Sequence, residues 1–227
     1  MNKRHKIAIY GLITGAALFL FTNLFGCFAT AEEKAEKLIT KTETTTEVKH
    51  GNHSCCDNED AGEISSGSVY QLESEWTNQD GHMFFLKNLK GKKVVLTMFY
   101  ASCTYACPIL VQDMKRIETA LEESNSISSY KFVLASIDPE RDTPGVVKDF
   151  AKKNKFNLNR WTILTASPDD VMELAAVTGF KYKKDKEGNY SHSNLITFLN
   201  EEGEIIHQQV GLNQDITNSL TYLNTQN

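Results

Sequence analysis

From about residue 68 onward, apolar residues follow two alternating patterns. Stretches at 94–100, 130–137, 161–164 and 195–199 are nearly continuous, with the β-branched and aromatic content of strands buried on both faces. Between them, apolar positions recur every three or four residues. Ile109, Leu110, Met114, Ile117 and Leu121 predict a helix over 108–123, with Asp113, Lys115, Arg116 and Glu118 interleaved. Val146, Val147, Phe150 and Ala151 predict a second helix, with Thr143 as N-cap and Pro144 in the first helical position. Ser167-Pro168-Asp169-Asp170 opens a third by the same logic, ending near Gly179, and a fourth closes the chain over 215–223. A short strand is read at 69–72, and the Asp80-Gly81 pair within 76–82 signals a hairpin. Glu201-Glu202-Gly203-Glu204 turns the chain into a last strand over 205–210. Strands alternating with helices predict an α/β fold, a central mixed sheet flanked by helices with an antiparallel closing hairpin at one edge.

Before residue 68 the pattern differs. Lys3, Arg4 and Lys6 precede an uncharged stretch over 7–25, the signature of a secretory signal. Leu24-Phe25-Gly26-Cys27 resembles a bacterial lipoprotein cleavage box, in which the cysteine is lipidated and becomes the new N-terminus. The alternative is an uncleaved anchor, since about 19 uncharged residues just suffice to span a bilayer. Residues 1–27 are therefore read as signal or anchor. Either places the remainder at a membrane, facing the periplasm or cell exterior. Residues 28–67 are rich in Glu, Lys and Thr and are read as a flexible linker. Such a linker has a root-mean-square reach of about 35 Å. The folded domain is assigned to 68–227.

Composition narrows the function classes. A net charge of −5 with scattered basic residues excludes a nucleic-acid binder. Five cysteines, at Cys27, Cys55-Cys56 and Cys103/Cys107, are too few for a disulfide scaffold and read as sites. Cys103 and Cys107 lie where the first long apolar run gives way to a helix, directly before Pro108. A helix N-terminus lowers thiol pKa, which suits redox chemistry or soft-metal binding. Dithiol oxidoreductases typically place two residues between their cysteines; here there are three. On one regular helix the two Cβ atoms would lie about 5–6 Å apart, whereas a disulfide wants about 3.5–4.5 Å. A shared ion spans that gap without strain, so the spacing favours metal, with a disulfide possible if the first turn is loosened. A reactive cysteine pair at this junction resembles the thioredoxin-like fold. In such a sheet the loop before the strand at 195–199 approaches the cysteine loop, making His192 the candidate third ligand. His82 sits in a turn, and His207 lies in a two-faced hairpin strand and is read as solvated. Thiolates plus one imidazole select copper, above all Cu(I), or zinc; Cu(II) is also open.

With these residues in order, the sequence resembles the SCO/SenC family of copper-handling, thioredoxin-like proteins over about residues 68–215. Four stretches carry the resemblance: 76–91 with its Asp-Gly turn, 99–108 with the two cysteines, Ser136-Ile137-Asp138-Pro139-Glu140-Arg141-Asp142-Thr143-Pro144, and His192 before an apolar strand and a Glu-Glu-Gly-Glu turn. The resemblance implies copper held by Cys103, Cys107 and His192. It implies delivery to, or reduction of, the binuclear copper centre in subunit II of a haem-copper oxidase, that is cytochrome c oxidase, or service to another exported copper enzyme. A thiol reductant is the partner implied for the cysteine pair. Two positions depart from the family pattern. Thr104-Tyr105 replace the usual Pro-Asp after the first cysteine, and Ser191 replaces the usual Asp before the histidine. The lost carboxylates bear on partner recognition or on orientation of His192. Asp138 and Arg141 are read either as lining the site or a docking surface, or as a self-satisfied loop.

His50, His53, Cys55 and Cys56 form a further cluster in the linker, read as a secondary copper-capture site or as incidental residues. Two functions compete, a copper metallochaperone and a thiol–disulfide oxidoreductase with Cys103 and Cys107 as its redox pair. Against the second, no proline precedes Leu195, where thioredoxin-like reductases carry a cis proline. A peroxiredoxin-like peroxidase is disfavoured because Pro108 lies on the wrong side of the cysteine.

Overall fold

The computed structural model describes residues 65–225. The leader read over 1–27, nearly all of the linker and the cluster of His50, His53, Cys55 and Cys56 lie outside the described residues. Among the described residues no helix is long and apolar enough to cross a membrane.

The strands are β1 (Trp76–Asn78), β2 (Met83–Phe84), β3 (Lys93–Phe99), β4 (Tyr130–Ser136), β5 (Trp161–Ala166), β6 (Tyr182–Lys184), β7 (Tyr190–His192), β8 (Leu195–Leu199) and β9 (Ile205–Val210). The helices are α1 (Ala106–Glu123), α2 (Pro144–Lys153), α3 (Pro168–Thr178) and α4 (Thr217–Thr225). Seven strands form one sheet in the order β2-β1-β5-β4-β3-β8-β9; β6 and β7 pair only with each other. β3, β4 and β5 are parallel, and the flanking pairs are antiparallel. The mixed sheet flanked by helices is the α/β architecture that the alternating patterns predict.

The continuous apolar runs occupy the centre because every residue there must be covered on two faces. All seven residues of β3 are buried. Phe132 stacks on Trp161 with centroids 4.8 Å apart, and Phe156 stacks on Trp161 at 4.2 Å. Phe99 packs on Phe150 at 5.0 Å, docking α2 against the strand that leads to the cysteines. The two predicted N-caps form as expected. Thr143 Oγ1 accepts from the Val146 amide at 3.4 Å, and Ser167 Oγ accepts from the Asp170 amide at 3.2 Å. At Gly203 the backbone is left-handed (φ +80°), and a Cβ there would sit 2.6 Å from the Tyr70 ring. That turn therefore requires glycine.

Three expectations change. The stretch read as a strand at 69–72 is a 3₁₀ turn, Val69–Gln71, because Ser68 Oγ caps the Tyr70 amide at 3.0 Å and Val69 and Tyr70 are buried consecutively, not alternately. α1 begins at Ala106, two residues earlier than predicted, and leaves Cys103 outside the helix. His192 is not in a loop: it ends β7 of a separate hairpin. Those three-residue strands are too short and too polar to show a period of two.

In the parallel β3–β4 pair, Phe99 aligns with Ser136. The loops that follow, over 100–105 and 137–143, are therefore neighbours at the carboxyl ends of the strands, where open α/β sheets bind their ligands. Replacing Phe132 by alanine should cost about 3–5 kcal/mol, since it empties a stacked, fully buried position. Urea unfolding monitored by tryptophan fluorescence measures this, and a loss below about 1 kcal/mol would contradict the central role given to that stack.

Candidate metal site

Three segments bring the site together. The 100–105 loop carries Cys103, the first turn of α1 carries Cys107, and the end of β7 carries His192. Their ligand atoms all lie within 4.8 Å of one another. Cys107 Sγ is 3.6 Å from His192 Nε2. Both cysteines are free thiols. Two donors at about 2.0–2.3 Å from a shared ion can stand at most about 4.6 Å apart. Three donors sharing one ion stand closer, about 3.5–4 Å apart, so the set closes on a soft metal by shifts of up to about 1 Å.

Local backbone explains the positions. Tyr105 offers no side-chain cap to α1. Instead Cys103 Sγ accepts the Cys107 amide at 3.4 Å, so the sulfur takes one of the free N–H groups of the helix start. Pro108 in the same turn has no N–H to satisfy. Burial of Cys103 opposes its charge, but the Cys107 amide, the His192 imidazole, the Tyr105 amide and the Cys107 thiol outweigh it and bring its pKa down to about 6. Cys107 goes the other way. Burial pushes its thiol well above the ordinary range, and charge on Cys103 adds to the rise. The pair is therefore one accessible thiolate and one buried thiol.

His192 is fixed by its other nitrogen. Nδ1 lies 2.8 Å from the Ser193 carbonyl, which can only accept, so Nδ1 donates there and Nε2 is the nitrogen that faces the sulfurs. Phe180 stacks on the imidazole at 5.8 Å and Tyr100 meets it edge-on at 5.8 Å. A cavity of about 270 Å³ opens above the donors, lined by Cys103, Tyr105, Tyr190, His192 and Asn194. Cys103 also borders a second cavity of about 460 Å³, with Pro108, Val146, Phe150 and Lys153. Tyr105 is 74% exposed at the rim, so the position that departs from the family's Pro-Asp faces outward.

Asp138 and Asp142 are both buried beside this site. Asp142 accepts from the Ala101 amide at 2.9 Å and the Ser136 hydroxyl at 2.6 Å, which ties the start of the cysteine loop to the end of β4. Sequence alone assigns Asp142 no role of its own; its place directly after Arg141 in the strand-end loop is the signal that marks it. Asp138 accepts from Arg141 Nε and from the Tyr190 hydroxyl, the latter at 3.4 Å. His207, read as solvated, is half-buried: Tyr222 stacks on it at 4.6 Å, Nε2 lies 3.2 Å from Ser219 Oγ, and burial lowers its pKa. It is removed from the cysteine pair and packs β9 against α4.

The pKa split predicts how the thiols react. Cys103 is deprotonated above about pH 6 and protonated below it, so its alkylation rate should rise through a midpoint near pH 6. Cys107 should stay unlabelled until the protein is denatured. Iodoacetamide labelling with peptide mass spectrometry reads both; a midpoint above about 8, near the ordinary thiol value, would contradict the assignment.

The SCO1/SenC family model matches residues 64–219. The SCO1 protein homolog of Bacillus subtilis is 25% identical over 147 residues, which cover 63% of this chain and 75% of that one. The crystal structure of Arabidopsis thaliana ScoI with copper bound superposes with a TM-score of 0.59 at 25% identity, covering 67% of this chain and 96% of that one. A SCO1/SenC family lipoprotein from Bacillus anthracis gives a TM-score of 0.61 at 25% identity, over 68% and 92% of the two chains. With more than half of its length matched by the family model, the chain belongs to the SCO1/SenC family.

Proposed function

We propose that this chain is an exported, membrane-tethered copper carrier. Cys103, Cys107 and His192 hold copper as cargo, as Cu(I) or Cu(II). The cargo goes to the binuclear copper site of a haem-copper oxidase or to another exported copper enzyme. The observation that carries this reading is the convergence of two sulfurs and one imidazole nitrogen within 4.8 Å. Soft thiolate and imidazole donors select copper over hard cations. The copper bound in the Arabidopsis relative supports the same choice, and the lipoprotein relative supports the tether.

A second reading is favoured by the thiol asymmetry. An exposed thiolate at Cys103 can attack a partner disulfide, and Cys107 can then resolve the mixed disulfide. That reaction would maintain the cysteines of the acceptor site and would need an external thiol reductant to regenerate the pair.

A chain beginning at Ser65 keeps the Ser65 carbonyl that accepts from the Ser68 amide at 2.9 Å. Titrated with copper, it should bind one equivalent and show a sulfur-to-Cu(II) charge-transfer band. His192→Ala should weaken Cu(II) by about 10–100-fold or more while leaving dithiol oxidation nearly unchanged. If His192→Ala binds copper as tightly as the parent, the ligand set is wrong; if the parent has no sulfur band, the oxidoreductase reading wins. A second stoichiometric equivalent should appear only in the chain that includes His50, His53, Cys55 and Cys56. Its absence there would reduce that cluster to incidental residues.

A further inference from the structure

Two of the three donors are fixed by sequence proximity, Cys103 and Cys107. The third is not. His192 sits on the β6–β7 hairpin, which shares no strand pairing with the seven-stranded sheet. Its internal register, Tyr182 opposite His192 and Lys184 opposite Tyr190, fixes the hairpin's own shape but not its place over the cysteines.

At its base the hairpin is held by Phe180 and Tyr100 against the imidazole and by the Ser193 amide on the Lys181 carbonyl at 2.8 Å; its tip and outer strands are held by one short segment, the loop after β4. Arg141 donates from Nε to the buried Asp138 carboxylate and from Nη2 to the Gly188 carbonyl at the hairpin tip, at 2.5 Å. The Tyr190 hydroxyl donates to the same carboxylate at 3.4 Å. Lys184 pairs with Glu140 at 2.5 Å. The Tyr190 ring packs on Tyr100 at 5.3 Å, and the Arg141 guanidinium lies 6.0 Å from the centre of the Tyr100 ring. Tyr190 and Lys184 reach the loop from the hairpin side, Lys184 also lying 4.0 Å from Asp138; Arg141 makes the link from the loop side, with one nitrogen on Asp138 and another on the Gly188 carbonyl. A planar guanidinium fork can do this and an ammonium cannot.

We propose that Arg141, held by Asp138, is a positioning residue that clasps the His192 hairpin over the Cys103–Cys107 pair and thereby sets the affinity of the site for Cu(II). This rests on the copper reading. Arg141 touches no metal ligand directly and acts through the hairpin backbone at Gly188. The clasp gives Asp138 and Arg141 one role, neither a self-contained loop nor merely a docking face.

The test uses the full chain in detergent, with Cys27→Ser, Cys55→Ser and Cys56→Ser in every protein so that only Cys103 and Cys107 supply sulfur. Cu(II) affinity is read from the sulfur charge-transfer band in competition with a chelator. Arg141→Ala should weaken Cu(II) about 10–100-fold with an unchanged count of reactive thiols. Arg141→Lys, which keeps a charge beside Asp138, should still weaken it, because one ammonium replaces a two-ended fork. In a His192→Ala background, either change should alter affinity less than about twofold, since the ligand it positions is gone; a merely structural role would lower affinity equally in both backgrounds. Hydrogen exchange should show faster exchange at 182–192 in Arg141→Ala. Parent-like Cu(II) affinity in both Arg141 variants, or equal losses with and without His192, would overturn the clasp while leaving the copper reading intact. A parent with no sulfur band would overturn the copper reading, and the clasp's role in it.

Discussion

The site is organised by the need to satisfy two buried carboxylates, Asp138 and Asp142, four residues apart at the end of β4. A buried carboxylate is tolerated only when paired or well hydrogen-bonded. Each of these two meets that demand by reaching a different neighbour. Asp142 takes the Ala101 amide and so fixes the loop that carries Cys103. Asp138 takes Arg141 and Tyr190 and so reaches the hairpin that carries His192. One short loop thereby holds both halves of the donor set.

The dithiol itself draws on the same region of the fold. Parallel β3 and β4 end side by side, and α1 begins within a few residues, so helix-start amides meet the emerging loop. Cys103 occupies that polar junction and is easily ionised, while Cys107, one turn inside, is enclosed by the core. A metal carrier and a thiol exchanger need the same ingredients, a reachable thiolate and a protected second sulfur. The added imidazole is what tilts the proposed function toward copper. Cys103 borders two cavities, one shared with His192 and one without it.

Legibility from sequence followed burial. The runs that became β3, β4, β5 and β8 were readable because strands covered on both faces are apolar throughout. The starts of α2 and α3 were readable because Thr143-Pro144 and Ser167-Pro168 are local capping chemistry that needs no tertiary partner. The segment at 69–72 differs from its expected strand because four residues hold no full period and Ser68 caps it into a turn. The β6–β7 hairpin is not legible because its strands are three residues each and half-exposed, with two lysines in β6 and no apolar alternation in either. His207 was read as solvated because the stacking partner that covers it, Tyr222, arrives from a helix fifteen residues later, with Ser219 beside it.

The sequence by itself determined the α/β class, the family pattern and the two thiols, since these depend on local periodicity, capping and a four-residue spacing. It named His192 only through the resemblance and the expected strand order, because no local rule links residues 107 and 192. The tertiary structure decided that Cys103 lies ahead of the helix, that the two thiols differ in ionisation, and that His192 turns Nε2 toward them. It also decided that Arg141 spans from Asp138 to Gly188. These are distances and burials between segments far apart in the chain, and they exist only once the sheet has set the strand ends side by side.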